Sequence, residues 1–176
     1  MTEQSAYDLI DSPVGSLFAV TTPTGLVCLT YQREPLRNCL DALEHDLGHR
    51  PLHRPRLLKE MRRELAAYFS GRLRAFSTPI DWSLSPGGFA ADVLKVVTTI
   101  PWGETLSYGE VAMEAGSPGA ARAVGTAMSK STLIIVVPCH RVIAAGGKLG
   151  GYMGGEPGGL AIKRHLLNLE GCDYRP

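Results

Sequence analysis

Residues 16–21 and 26–31 are two apolar, β-branched runs separated by Thr22-Pro23-Thr24-Gly25, a pattern that predicts a hairpin closed by a tight turn. The hydrophobic period then lengthens. Residues 35–47 predict a helix, and residues 55–69 a stronger one, with Leu58, Met61, Leu65 and Tyr68 on one face and Gly71 placed to end it. Residues 75–82 read as a strand returning to the sheet. Ser83-Leu84-Ser85-Pro86-Gly87-Gly88 is rich in turn formers between two periodic segments, which places a domain boundary there.

Beyond that boundary the pattern is mostly helical. A helix is predicted over residues 89–99, stopped by Pro101-Trp102-Gly103. Ser107 and Glu110 form a capping box for the next, with Tyr108, Val111, Ala112 and Ala115 on one face and Gly116 at its end. Ser117 can cap a third helix with Pro118 at its first position, giving helix, short glycine-containing turn, helix. On this third helix Arg122, Thr126 and Ser129 share the outer face, while Ala121, Val124 and Met128 can face the core. The apolar run 135–137 leads into Pro138 and reads as a short buried strand that the proline ends. Residues 160–169 form an amphipathic helix from which Glu170 can face inward beside Leu166. The predicted fold is an α/β N-terminal domain (small antiparallel sheet with helices) at residues 1–84, followed by a mainly α C-terminal domain with a helix-turn-helix at residues 85–176.

Composition adds limits. With 176 residues, 44% hydrophobic and 20% charged, the usage is that of a globular chain with a core. Its apolar runs are too short to span a membrane, and the N-terminus lacks the charged and apolar regions of a signal peptide, so an intracellular protein is expected. The four cysteines lie far apart with no CxxC pair, which suggests neither a zinc site nor a disulfide framework. Net charge is only +1, but no Asp or Glu occurs from Pro118 to Gly155, where Arg122, Lys130, Arg141 and Lys148 are basic and His140 adds a fifth charge when protonated. A basic surface of that size predicts modest, salt-sensitive phosphate binding. His45, His49 and His53 recur every four residues, yet Pro51 breaks any helix between them, and they read as exposed histidines rather than metal ligands.

The chemistry centres on Cys139. The proline delivers it to the edge of a pocket, and His140 follows directly. In a regular strand adjacent side chains point to opposite faces, so the two can cooperate only through a sharp turn or a bridging water. A neighbouring imidazole, an arginine such as Arg141, or a helix N-terminus would lower the thiol pKa. A buried structural cysteine is the alternative reading. Gly146, Gly147, Gly150 and Gly151 lack the strand and helix flanks of a phosphate loop and suit a tightly turned pocket wall near Tyr152.

Pro138-Cys139-His140-Arg141-Val142, preceded by Ser107-Tyr108-Gly109-Glu110-Val111-Ala112 and Ala120-Ala121-Arg122-Ala123-Val124-Gly125, resembles the O6-alkylguanine-DNA alkyltransferases. The likeness runs from about Phe89 to Gly171; the first half matches in length and layout. The resemblance implies direct-reversal repair of O6-alkylguanine, with O4-alkylthymine left open, in which Cys139 takes the alkyl group irreversibly and the protein is consumed in one turnover. It implies that His140 relays the thiol proton through water, that Glu170 orients His140, and that Tyr108 donates a proton to the departing guanine. The third helix would lie in the minor groove of double-stranded DNA, with Arg122 entering the base stack as the damaged base flips out and Ala121, Thr126, Ser129 and Lys130 along the contact. Met128 would pack on the base, and the backbone near Cys139, Val142, Tyr152 and Met153 would bond its edge. Ser131 and Arg141 would link the helix to the cysteine loop. No cofactor, metal or membrane is implied, and the protein would act as a monomer in the cytoplasm, or in the nucleus of a eukaryote.

Two departures stand out. Ser131-Thr132 replaces the family's Asn-Pro pair, and the loop at residues 154–159 is about four residues longer than the commoner pattern. Two other classes remain: a protein that senses alkylated DNA without repairing it, and a cysteine hydrolase that turns over repeatedly.

Overall fold

The computed structural model describes residues 5–176, which separate into two compact units dividing between Leu84 and Ser85. The first is built on a four-stranded sheet. Strands β1 (Ala6–Ser12), β2 (Gly15–Thr21) and β3 (Leu26–Tyr31) run antiparallel, and a short β4 (Leu52–His53) joins β1 in parallel, in the order β3-β2-β1-β4. The hairpin of β2 and β3 lies where the apolar runs predict it. β1 was not legible because Asp8 interrupts its apolar alternation. Asp8 is nonetheless 3% exposed, its carboxylate paired with Arg62 and accepting the Leu9 N–H.

Helix α1 (Leu36–Leu47) lays Leu40 and Leu43 against Phe18, Val20, Val27 and Cys28. The predicted helix over 55–69 begins as a 3-10 turn, Pro55–Leu58, and continues as α2 (Lys59–Phe69), burying Met61, Leu65 and Tyr68. Residues 75–82 do not form the predicted strand. The buried Glu64 of α2 accepts the N–H groups of Ser77 (2.7 Å) and Thr78 (3.2 Å) as well as both hydroxyls, so donors that a strand ladder would use are bound to a carboxylate, and only the bridge Leu26 to Ile80 is made.

In the second unit α3 (Phe89–Thr99) buries Val93, Leu94 and Val97 and packs against α4 (Tyr108–Glu114) and α5 (Ala121–Ser129). The capping box is present: the Ser107 hydroxyl accepts the Glu110 N–H, and the Glu110 carboxylate accepts the Ser107 N–H at 2.6 Å. Ser117, however, does not cap α5. Gly119, at φ +87°, turns the chain so that the helix starts at Ala121 with no side-chain cap. Val124 and Ala127 face the core, Ala121 and Met128 are half-buried, and Arg122, Thr126 and Ser129 point outward.

The expected strand at 135–137 is also corrected. Leu133, Ile135 and Val137 are buried, but Ile135 has φ +66° and the backbone closes on itself through Val136 N–H to Ile134 O and Val137 N–H to Leu133 O. Cys139–Arg141 is a 3-10 turn, and only Val142–Ile143 (β6) pairs with a neighbour, parallel to β5 (Leu106–Ser107). Burial was readable from the residues; with no long partner strand beside the run, its polar groups are satisfied by turns. Helix α6 (Gly159–Glu170) closes the unit, its Leu167 packed with Ile143, Leu149 and Cys172. No helix among the described residues is long and apolar enough to cross a membrane.

Candidate active site

Cys139 opens the 3-10 turn that follows Pro138, and the turn supplies the sharp change of direction that adjacent side chains need in order to serve one pocket. The residue itself is half-buried. Close packing around the sulfur pushes its thiol up to about 12, opposed by a hydrogen bond at its own backbone and by the charge of Lys163. The thiol is therefore protonated at neutral pH, and the nucleophile forms only when that proton is removed.

His140 is fully buried, its Nε2 2.8 Å from Glu170 Oε1. Burial lowers its pKa more than Glu170 raises it, so the ring is neutral at neutral pH and the pair works as an oriented imidazole rather than a standing ion pair. One reason is that Glu170 is already neutralised. Arg141 Nε donates to Glu170 Oε2 (2.7 Å) and Nη2 to Oε1 (2.9 Å), while Nη1 donates to the Ile100 carbonyl (2.5 Å). Arg141 is 6% exposed, which corrects its place in the basic surface: its charge is turned inward onto Glu170, not toward phosphate. Of the cations on that surface Arg122, Lys130 and Lys148 remain exposed, and neutral His140 does not add to them.

Tyr108, the first residue of α4, is half-buried with its hydroxyl donating to the Gly151 carbonyl at 3.3 Å; burial first, then the neighbouring Cys139, raises its pKa. The ring fits because Gly150, at φ +69°, carries no side chain: a Cβ there would stand 3.2 Å from Tyr108 Cε2 and 3.1 Å from the Ala144 nitrogen. Tyr152 is buried and Met153 half-buried, so the glycine-rich segment does form a tight wall, while residues 154–158 of the longer loop are exposed. Val142 is fully buried, with its N–H on the Cys139 carbonyl and its own carbonyl taken by Lys163; both backbone groups are engaged in the fold before any base arrives. Ser131 accepts the Leu133 N–H at 3.2 Å, one bond joining the end of α5 to the loop that leads to Cys139.

Lys163 is the residue the sequence reading missed. It is 0% exposed, and its Nζ donates to the carbonyls of Val142 (2.7 Å) and Gly151 (2.9 Å) and stands 6.0 Å from the Tyr108 ring centroid. A signal was available: Lys163, Leu166, Leu167 and Glu170 follow the i, i+3, i+4, i+7 spacing of a buried stripe, which makes this lysine an inward one. The three histidines at 45, 49 and 53 are not gathered: His49 Nε2 meets Ser5 Oγ at 2.9 Å and His53 stacks on Tyr7.

Residues 88–172 match the family model described as 6-O-methylguanine DNA methyltransferase, DNA binding domain, and residues 6–82 the one described as 6-O-methylguanine DNA methyltransferase, ribonuclease-like domain. Among curated proteins, the methylated-DNA--protein-cysteine methyltransferase of Methanosarcina barkeri is 39% identical over 96% of this chain and 99% of its own length. That of Mycolicibacterium paratuberculosis is 42% identical over 93% and 91%. The crystal structure of Mycobacterium tuberculosis O6-methylguanine methyltransferase superimposes with a TM-score of 0.79 at 39% identity, covering 96% of this chain and 93% of that one. A structure of the Mycobacterium tuberculosis protein OGT in complex with DNA gives 0.75 at 38% identity, covering 94% and 92%.

Proposed function

The chain belongs to the 6-O-methylguanine DNA methyltransferase family, and from that premise we propose that it repairs O6-alkylguanine in double-stranded DNA by moving the alkyl group onto Cys139. The observation that carries this reading is the turn itself: a thiol at the pocket edge, followed at once by a neutral imidazole fixed on a buried carboxylate. The unit at residues 85–176 holds the helix-turn-helix and the acceptor; the unit at 1–84 is the scaffold domain. All four cysteines are free thiols, which suits a reducing cytoplasm, or a nucleus, and a monomer is sufficient for the chemistry.

In the reaction the Cys139 sulfur attacks the alkyl carbon, the carbon to O6 bond breaks, and its electron pair stays on guanine. The thiol proton passes to His140 through water, and Tyr108 gives one to the purine. The two transfers balance, leaving a thioether and an ordinary guanine. Glu170, charge-balanced by Arg141, holds the imidazole in place. For Tyr108 to act, its hydroxyl must exchange the Gly151 carbonyl for the base. A base inside a duplex hides its O6 substituent, so the nucleotide must leave the stack at a cost of a few kcal/mol. Exposed Arg122 on α5 occupies the vacancy, with Ala121, Thr126, Ser129 and Lys130 along the groove; Met128 and the backbone at Tyr152 and Met153 hold the base. No group beside Cys139 is suited to cleave a thioether, so each molecule reacts once.

With excess duplex carrying O6-methylguanine, one methyl per protein is expected, located on the Cys139 peptide by mass. Repeated turnover would identify a hydrolase, binding without transfer a lesion sensor, and a methyl elsewhere another acceptor.

Arg122 separates base extrusion from charge attraction. Arg122→Lys keeps the charge but loses the planar guanidinium that stacks. It should leave the salt dependence of DNA binding nearly unchanged and slow duplex repair, with reaction of free O6-benzylguanine close to wild type. Equal slowing of both substrates would place Arg122 in the pocket or the fold instead.

A further inference from the structure

We propose that Lys163 is a further functional residue of this site: its ammonium, fixed by the carbonyls of Val142 and Gly151, is the counter-cation against which the Cys139 thiolate forms. The proposal rests on Cys139 being the acceptor, and it adds what supports negative charge on that sulfur. A fully buried ammonium normally pairs with a carboxylate. Among the described residues none pairs with this one; its partners are two carbonyl oxygens, and the neighbouring carboxylate, Glu170, is held by Arg141 and His140. The ammonium is thus a buried charge lacking an anion. Losing the thiol proton creates one in the same pocket.

The placement follows from the fold. Lys163 rises from the inward stripe of α6 to the Val142 carbonyl, at the end of the turn that Cys139 begins, and across to Gly151, whose carbonyl also accepts from Tyr108. The same side chain therefore braces the pocket wall while Tyr108 changes partner, because Gly151 keeps one of its two donors.

The electrostatics are reciprocal. Burial pushes the Lys163 amine down to about 8 while Cys139 raises it, and Lys163 lowers the thiol that burial holds at about 12. The other charged or titratable groups facing the pair are His140 and Arg141 from the turn, Tyr108 from α4 and Glu170 from α6. His140 is neutral near pH 8, Arg141 and Glu170 are locked together, and Tyr108 is shifted upward, so Lys163 is the group that changes charge there.

The sign of the pH effect is then fixed. The reactive form, thiolate with ammonium, has one proton fewer than thiol with ammonium and as many as thiol with amine. Its population rises about tenfold per pH unit while Lys163 stays protonated and levels once the amine deprotonates.

Iodoacetamide labelling of the full chain, read on the Cys139 peptide by mass, tests this without DNA. In the wild type the rate should climb to about pH 8 and then level. Lys163→Gln retains an amide donor for the carbonyls but no charge; its labelling at pH 7.5 should fall by about tenfold or more, the size of a shift of one pKa unit, with no levelling near pH 8. A wild-type rate that rises straight through pH 8 to pH 10 would overturn the proposal, as would a folded Lys163→Gln variant that labels like wild type, since a brace alone predicts both. If Lys163→Gln melts at the assay temperature, the wild-type profile decides alone. Failure here leaves the methyl-transfer count unaffected, and failed methyl transfer beside a levelling profile would refute the substrate, not the ion pair.

Discussion

Cys139→Ala is expected to eliminate methyl transfer from duplex O6-methylguanine, with no methylated peptide detectable after overnight reaction, while the Kd for duplex DNA at fixed salt stays within about threefold of wild type. The two effects separate because they arise on different groups. Transfer needs the sulfur electron pair, for which an alanine methyl is no substitute. On the proposed reading, binding draws on the exposed cations Arg122, Lys130 and Lys148 and the outer face of α5, and phosphate affinity of this kind is insensitive to a neutral change in the pocket. The half-buried thiol is small, so the alanine variant should fold. Peptide mass spectrometry and a salt-controlled binding titration check both halves. Methylation at Cys28, Cys39 or Cys172, or affinity lost in parallel with transfer, would contradict the assignment.

The second large effect is on stability. Glu170→Ala should destabilise the 85–176 unit by about 3–5 kcal/mol, since removing one member of a buried ion pair leaves the other charge uncompensated in a low-dielectric interior. Glu170 and its partners lie at 0–8% side-chain exposure, and the guanidinium of Arg141 would be left with the Ile100 carbonyl alone. A built-in comparison exists on the other unit: Arg50 also bridges two carboxylates, Asp41 and Glu44, but all three side chains are 40–52% exposed. Asp41→Ala should therefore cost far less, since solvent screens an exposed pair. Urea denaturation followed by Trp102 fluorescence in a Trp82→Phe background reports on the unit that holds Glu170. Equal small losses for Glu170→Ala and Asp41→Ala would show that the buried network contributes little beyond its packing.

What the sequence determined by itself was local. The face of α2, the span of α3, the hairpin of β2 and β3 and the Ser107 capping box depend on contacts within a few residues, so spacing alone specified them. The adjacency of Cys139 and His140 is likewise covalent, and the family motifs around them are contiguous in the chain. Glu170 was nominated by resemblance and by its inward position on a helix.

What only the tertiary structure decided involves partners far apart in sequence. Residues 75–82 look like a strand until Glu64 is seen to hold Ser77 and Thr78. The run at 133–137 is as apolar as a buried strand, and the lack of a long pairing edge turns it back on itself. Arg141 reads as a surface cation, and whether such a charge faces water or the core depends on a carboxylate 29 residues away; the stripe of α6 turns Lys163 inward, but the carbonyl that receives its ammonium lies 21 residues away. Periodicity records which positions are buried, because burial follows the pitch of one element. It does not record which polar group waits on the neighbouring element, and in a low-dielectric pocket that group sets the ionisation of the Cys139 site.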